Sequence, residues 1–297
     1  RAAAPSERLF FDLLAAGEGQ EGEDERAGPG PAGWGQPVAM ASWASGGGAS
    51  VGSGTNAYVY SLLSYNNELI VGGEFSMAGG VGANRIVRFN DVSWIPFGSG
   101  VTGGSGPDVL DMTVRGSNLV VSGDFNAVDG VPALSIAEWN GSAWSGLDSG
   151  LSWCCVPLPP PLPFSIHVGR AVASFGADLY AGGVIQTAGG EFCSHIAAWN
   201  GADWRALLPG SGLTGRVLSM TQFEDQIVAS GPFLDPNYYG QYLADVASWN
   251  GSEWSGLEGL SESEALTVWN GDLIAGGAYS NLVYRWSGTD WVYLGAA

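Results

Sequence analysis

The sequence contains no lysine, and most of its charged residues are acidic. Ten arginines stand against 29 Asp and Glu residues, which gives a formal net charge of −19 and an isoelectric point near 4.1. Binding to phosphate groups depends on basic side chains, so this balance argues against nucleic acid or an anionic membrane as a partner. Solubility is the ordinary reason for such a charge. Cation binding and a salty medium are the sharper alternatives.

Long apolar runs are also missing. None approaches the ~20 residues that a membrane-spanning helix needs, and residues 1–20 lack the basic start and apolar core of a signal peptide. We therefore expect no membrane insertion. The chain opens on Arg1 rather than Met, which is compatible with a processed or excised piece of a larger chain or assembly.

Glycine and tryptophan are abundant, with 48 and 13 residues, and both recur in a repeat. The repeat has an apolar segment that ends in small residues and, after it, an aromatic box. The apolar segments are ELIVGGEF (68–75), NLVVSGDF (118–125), DLYAGGVI (178–185), QIVASGPF (226–233) and DLIAGGAY (272–279). The boxes are RIVRFNDVSW (85–94), SIAEWNGSAW (135–144), HIAAWNGADW (195–204), DVASWNGSEW (245–254) and LVYRWSGTDW (282–291).

A degenerate copy precedes these five. DLLAAGEG (12–19) matches the apolar segment, and VAMASWASGGGASVGSG (38–54) matches the box without its second tryptophan. The aromatic anchors of the six copies are Trp43, Phe89, Trp139, Trp199, Trp249 and Trp286. Six copies therefore fill nearly the whole chain.

Each copy has the pattern of four short strands, because short apolar runs alternate with Gly, Asn-Gly or Asp turns. Repeated sheets of this size without helical periodicity indicate sheets arranged radially around an axis. The sequence predicts an all-β fold, a six-bladed β-propeller with four antiparallel strands per blade, as a single domain over 1–297. The predicted blades are approximately 5–54, 55–100, 101–151, 152–213, 214–260 and 261–297.

The pattern G-G-x-F-x-x-A-G-G followed by I-A-x-W-N-G-x-x-W resembles the kelch-like propeller repeats of large secreted or cell-surface bacterial proteins. The resemblance covers roughly residues 9–295 and implies the propeller fold and an extracellular or cell-surface location. It implies little about activity, because kelch-type propellers include both binding scaffolds and occasional oxidases. This chain departs from the pattern in its first, second and last copies.

The tryptophan box is interpreted as part of the architecture rather than as a ligand site. Strand periodicity places Ala137 and Trp139 on one face, and Ile136 and Glu138 on the other. A tryptophan at this place in every copy can fill the wedge between neighbouring sheets, and paired glycines let strands approach closely. Function is therefore expected where the copies differ.

The fourth copy contains the insert LSWCCVPLPPPLPFSIHV (151–168) and all three cysteines, Cys154, Cys155 and Cys193. We expect Cys154 or Cys155 to form a disulfide with Cys193, which would imply an oxidising compartment. The alternative is a metal site, because Cys193 and His195 would share one strand face and His167 belongs to the same blade. The disulfide is favoured over the metal.

The fifth copy contains FLDPNYYGQYLAD (233–245) in place of a plain Gly-rich turn. Tyr238, Tyr239 and Tyr242 beside Asp235 suit stacking on sugar rings or contact with a protein partner. Packing on a neighbouring loop is the alternative.

Acidic side chains follow the small-residue pair in the first three copies, at Glu18, Glu74 and Asp124. They would lie near one end of the propeller, where Ca²⁺ could bind. A solvated rim is the alternative. No other cofactor is expected.

These features favour a secreted or cell-surface, non-catalytic interaction module that binds a glycan or a protein through propeller loops. The first alternative is a lyase or hydrolase acting on polysaccharide, for which the sequence shows no paired catalytic carboxylates. A copper oxidase would need more Tyr and His ligands than two histidines allow. The second alternative is a structural subunit of an extracellular assembly or filament.

Overall fold

The computed structural model describes residues 54–104, 106–153, 168–207, 213, 215–234, 242–260, 263–277 and 282–295. Regular structure in these ranges is entirely β-strand. None of the described segments forms a helix long and apolar enough to cross a membrane.

The strands are numbered in chain order. The first fourteen are β1 (Val59–Tyr65), β2 (Glu68–Gly73), β3 (Met77–Ala78), β4 (Val81–Gly82), β5 (Ile86–Phe89), β6 (Trp94–Pro96), β7 (Val101–Thr102), β8 (Asp108–Arg115), β9 (Asn118–Asp124), β10 (Ala127–Val128), β11 (Val131–Pro132), β12 (Ile136–Trp139), β13 (Trp144–Gly146) and β14 (Leu151–Ser152). The others are β15 (Ala171–Phe175), β16 (Asp178–Gly182), β17 (Thr187–Ala188), β18 (Glu191–Phe192), β19 (Ile196–Trp199), β20 (Trp204–Ala206), β21 (Ser219–Phe223), β22 (Gln226–Leu234), β23 (Tyr242–Trp249), β24 (Trp254–Gly256), β25 (Ser263–Trp269), β26 (Asp272–Gly277), β27 (Val283–Trp286) and β28 (Trp291–Tyr293).

Twenty of these strands form five antiparallel sheets of four strands each. Sheet I is β1-β2-β5-β6, sheet II is β8-β9-β12-β13, sheet III is β15-β16-β19-β20, sheet IV is β21-β22-β23-β24 and sheet V is β25-β26-β27-β28. In each sheet the apolar segment of the repeat is the second strand, and the aromatic box supplies the third and fourth. The predicted all-β fold and four-stranded antiparallel sheets are confirmed.

Smaller sheets lie beside the main ones, and the sequence pattern does not predict them. β7 pairs with β10, which also pairs with β11. β14, β17 and β18 form the same arrangement one repeat later. The segment leaving one main sheet therefore pairs with the hairpin that follows the second strand of the next sheet. These two-residue strands are too short to show a period in the sequence.

The first strands of successive sheets lie next to each other in the order β1, β8, β15, β21 and β25. This is the arrangement of neighbouring propeller blades. The degenerate first copy, in residues 1–53, falls outside the described residues, so a sixth blade stays a prediction.

Each main sheet inside the series buries both faces. In β9, Leu119 and Val121 pack in a cluster with Ile70 of sheet I. Val120, between them in sequence, packs in a different cluster with Leu179 of sheet III. This alternation explains why the second strands are apolar at successive positions.

The box tryptophans pack between sheets, as predicted. The ring centroids of Trp139 and Trp144 are 5.3 Å apart. Phe97, which follows β6 of the preceding sheet, makes edge contacts with both at 5.5 Å. The Nε1–H group of Trp204 donates a hydrogen bond to the carbonyl oxygen of Leu147 in sheet II's trailing segment, at 3.1 Å. The box is therefore an inter-sheet contact.

The hairpin between the two tryptophans is held by its asparagine. Asn140 Oδ1 accepts hydrogen bonds from the backbone N–H groups of Ser142 and Ala143, each at 2.9 Å. Gly141 has a φ of 97°, which a side chain would disfavour. The tight turn predicted from Asn-Gly is present, and Asn200 and Asn250 form the same contacts.

Candidate functional site

The first strands of all five main sheets surround a cavity of about 400 Å³, which we call the axial cavity. One residue position of the repeat contributes Leu63, Thr113, Ala173, Thr221 and Thr267 to its wall. Asp111 and Ser174 add further polar groups. The repeat therefore builds a shared wall, and sequence differences between copies decide its chemistry.

One end of the cavity lies where the first strands begin and the second strands end. There the second residue of each small-residue pair is a glycine packed on the adjoining backbone. A Cβ at Gly73, Gly123, Gly183 or Gly231 would collide with the carbonyl oxygen of Tyr58, Asp108, Val168 or Arg216, respectively. These four residues consequently occupy one position of the repeat, although their side chains are an aromatic, an acid, an aliphatic and a base.

This end is called the mouth, and it is defined by Tyr60, Glu74, Asp108, Arg170, Arg216 and Glu264. Register shifts in β1, β8 and β25 leave Tyr60, Leu110 and Glu264 without a ladder partner at equivalent positions. A bulge of this kind redirects a side chain. Sheets I, II and V therefore have a bulge at the same position of the repeat, at the mouth.

Charges from four sheets meet around Arg170. Burial lowers the pKa of its guanidinium group, and the neighbouring charge of Arg216 lowers it further. The carboxylates of Glu264 and Asp108 raise the same pKa. These residues come from sheets II, IV and V, whereas Arg170 directly precedes β15 of sheet III. Interactions between charges weaken with distance. The charged residues from these four sheets therefore lie close together, at one end of the axis.

Asp108 is the most buried acid of the mouth, with 5% of its surface exposed. Burial raises the pKa of its carboxyl group to about 7, and the charges of Asp124 and Glu74 act in the same direction. The backbone N–H of Asp124 donates a 3.0 Å hydrogen bond to Asp108 Oδ1, which lowers that pKa, as does the charge of Arg85. The mouth therefore brings together carboxyl groups whose environments differ.

Two tyrosines lie at the start of sheet I, where Tyr58 directly precedes β1 and Tyr60 lies beside the acids Glu74 and Asp108. Tyr58 and Tyr60 are 48% and 45% exposed, and their ring centroids lie 6.3 Å apart. The Tyr60 hydroxyl donates a 3.0 Å hydrogen bond to Glu74 Oε2. Burial and the Glu74 charge raise the pKa of Tyr60, so its hydroxyl stays protonated. The rings offer apolar surface beside hydrogen-bonding groups.

The distribution of arginine also distinguishes the mouth. Of the seven arginines in the described residues, four form ion pairs within the main sheets: Arg88 with Glu68 at 3.2 Å, Arg115 with Glu138 at 3.4 Å, Arg285 with Asp272 at 3.4 Å, and Arg205 with Asp178. Arg85, Arg170 and Arg216 do not take part in these four pairs. They are grouped with the mouth acids by the charge effects on Arg170 and Asp108. In a chain with so few basic residues, this grouping marks the mouth as chemically distinct.

The predicted acidic set is partly brought together. Glu74 and Asp124 both act on Asp108, whereas Glu18 falls outside the described residues. Within the described ranges, no three Asp, Glu, His or Cys side chains have the spacing of a metal site. The described acids therefore do not form a Ca²⁺ cage, and the Ca²⁺ prediction is not supported by geometry.

The prediction that Cys193 and His195 share a strand face is wrong, because β18 ends at Phe192 and β19 begins at Ile196. His195 adopts a φ of 60° in this link, and its Nδ1 lies 3.3 Å from the carbonyl oxygen of Gly183. Burial lowers the pKa of His195. The contact gives it a structural role at the end of β16.

Cys193 is a buried free thiol rather than half of a disulfide. It packs with apolar residues between sheets II and III, and burial raises its pKa to about 12. A thiol held in this form is unreactive. The partners expected from the sequence, Cys154 and Cys155, lie outside the described residues, as does His167.

The predicted tyrosine site also lies mostly outside the described residues. This applies to Asp235, Tyr238 and Tyr239. Tyr242 begins β23, and only its backbone is described. β22 continues beyond Gly231 to Leu234 and pairs there with β23, where sheets I, II and III have a small separate hairpin after their second strand.

Sequence reasoning missed the mouth residues Tyr60, Asp108, Arg170 and Glu264. A signal was present, because equivalent positions at the start of the first strand carry different charges in each copy. Only the register of the bulged strands shows which of these positions are equivalent.

A family model described as "Domain of unknown function (DUF5122) beta-propeller" matches residues 66–91, the stretch from the turn after β1 to just past β5. Among solved structures, the crystal structure of the computationally designed Ika8 protein is similar, with a TM-score of 0.43 and 14% identity. The alignment covers 82% of this chain and 64% of the designed one. No curated protein matches the chain. The family match and the repeated four-stranded sheets agree on one conclusion: the chain is an all-β protein built from propeller-type repeats.

Proposed function

We propose that the protein is a non-catalytic glycan-binding module and that the mouth is its binding site. The observation that carries this proposal is the convergence of side chains from all five described sheets on one end of the axial cavity. Exposed tyrosine rings beside carboxylates and arginines suit a ligand with apolar ring faces and many hydroxyl groups. The acidic, lysine-free composition and the resemblance to surface-protein repeats support a location outside the cell or at its surface.

The same proposal includes a kelch-like propeller of six blades. Sheet V exposes Val283 and Val292, each 44% exposed, on strands that have no following sheet in the described residues. Residues 1–53 contain the degenerate first copy and are the available partner for this surface. Deletion of these residues should lower the unfolding temperature, measured by calorimetry, by clearly more than a single surface substitution does. An unchanged transition would contradict the sixth blade.

A glycan array followed by titration calorimetry tests the binding function. Tyr60→Ala should weaken binding of any glycan found by about 10-fold or more, because it removes a ring and the hydroxyl bonded to Glu74. Tyr293→Ala is the matched control, since Tyr293 is 51% exposed but lies on the outermost strand of sheet V. Equal effects of both variants, or binding to proteins only, would overturn the proposal.

A glycan-hydrolysing enzyme is the second candidate, and one observation favours it. Asp108 has a pKa near 7 beside Asp124 and Glu74, and glycoside hydrolysis uses carboxyl groups whose pKa values differ. Release of reducing ends from a glycan that binds, abolished by Asp108→Asn without loss of binding, would establish this activity. If no bound glycan releases reducing ends, the result favours the non-catalytic binding module.

A further inference from the structure

The axial cavity below the mouth has a chemistry of its own. Its wall includes the carboxyl group of Asp111, hydroxyls of Thr113, Ser174, Thr221 and Thr267, and apolar side chains that include Met112 and Met220. Asp111 is the one ionisable group among the described residues that line it. A volume of about 400 Å³ lies within the range of small-molecule sites, roughly 300–1,000 Å³.

The Asp111 carboxyl group is fixed in place by three donors. The Oδ2 atom accepts the backbone N–H of Val172 in sheet III at 2.8 Å, and Oδ1 accepts the N–H of Met112 at 2.8 Å. The Ser61 hydroxyl of sheet I bonds to the same carboxyl group. An ionised carboxylate can accept about four hydrogen bonds, so one accepting position remains for a molecule in the cavity.

Among the described residues that line the cavity, none carries a positive charge that would balance this carboxylate. No ion pair of Asp111 occurs among the described residues, and burial without such a partner raises its pKa to about 7. A buried carboxylate costs free energy unless a cation or hydrogen bonds compensate for lost water. A ligand that carries a cation would supply the missing partner.

We propose that the axial cavity binds a small organic ammonium compound, whose cationic group contacts Asp111 and whose carbon atoms contact Met112, Met220 and Leu63. The threonine and serine hydroxyls accept the remaining N–H groups. An organic cation fits better than a metal ion, because the described part of the cavity wall offers one carboxyl group and hydroxyls rather than several carboxylates. The net charge of −19 raises the local concentration of cations. This proposal does not depend on glycan binding at the mouth.

Methionine methyl NMR tests the proposal directly, because the chain has four methionines. Met112 and Met220 line the cavity, whereas Met77 is 45% exposed on an outer hairpin. Single Met→Leu variants assign the signals. Titration with ethanolammonium should shift the Met112 and Met220 signals in a saturable way and leave Met77 unchanged. Ethylene glycol, a neutral molecule of similar size, should not do so.

Asp111→Asn should weaken ethanolammonium binding by at least 10-fold, and Asp203→Asn in an exposed turn should not. Thr221→Leu fills the cavity without removing a short hydrogen bond, and it should also abolish the saturable shifts. This second variant tests the proposal even if Asp111→Asn does not fold. Equal shifts by ethylene glycol, unchanged binding in both cavity variants, or no saturable shift in the natural protein would overturn the proposal.

Discussion

At the scale of single residues, the informative groups are partly buried polar side chains at the axis. Asp111 and Ser219 occupy the same position in β8 and β21. Each accepts a hydrogen bond from the backbone N–H of the next first strand, from Val172 at 2.8 Å and from Leu266 at 3.1 Å. Such bonds join neighbouring sheets where no sheet ladder connects them. The carboxyl group at this position costs more than the hydroxyl when it ionises, because burial disfavours its charge.

The pH dependence of stability follows from this cost. The folded-state pKa of Asp111 is about 7, against 3.8 for an ordinary Asp, so the folded state binds more protons between these values. Stability should therefore fall as pH rises from about 4 to 8, with a slope of up to ~1.4 kcal/mol per pH unit for one such group. Asp108 acts in the same direction. Asp111→Asn should flatten the slope measured by urea unfolding, and Asp203→Asn should leave it unchanged. A slope of opposite sign would contradict the assignment.

At the scale of elements, the close crossing of the first and second strands shapes the mouth. β8 and β9 approach so closely at Gly123 that a Cβ there would collide with the Asp108 carbonyl oxygen. Gly72, the first glycine of the pair in β2, instead packs on Val109 of the next sheet, 2.6 Å from where its Cβ would lie. The second residue of the pair thus allows close contact within a sheet, and the first allows close contact between sheets.

Gly123→Ala should destabilise the protein by about 2 kcal/mol or more, because a backbone atom cannot move aside as a side chain can. Gly82→Ala is the matched control, since a Cβ at Gly82 meets no atom within 4 Å. Its effect should stay within about 0.5 kcal/mol. Chemical denaturation measures both, and similar losses in the two variants would refute the close-crossing explanation.

At the scale of the whole molecule, charge of one sign dominates. The ion pairs of Arg88, Arg205 and Arg285 have side chains 37%, 53% and 45% exposed on the arginine side, and exposed pairs contribute little. Repulsion among 29 acidic residues acts over longer distances at low salt. Net repulsion therefore opposes the folded state more than these pairs support it.

Raising NaCl from 10 to 150 mM at pH 7 should increase the unfolding temperature by roughly 2–4 °C, equivalent to about 1 kcal/mol. The same series at pH 4, near the isoelectric point, is the control and should show little or no increase. A fall in unfolding temperature at pH 7 would mean that the ion pairs outweigh the repulsion. Calorimetry distinguishes these results.

The sequence by itself determined the all-β class, the four-stranded repeat, the Asn-Gly hairpin and the packing role of the tryptophans. Each depends on local turn chemistry or on burial that recurs in every copy, and repetition makes such features visible. The tertiary structure decided which residues form the mouth and the axial cavity. Tyr60, Asp108, Arg170 and Glu264 are far apart in sequence and come together only because the first strands of different sheets begin at one place. It also placed Cys193 in an apolar cluster, because the strand link at residues 193–195 follows from hairpin pairing that no local pattern shows.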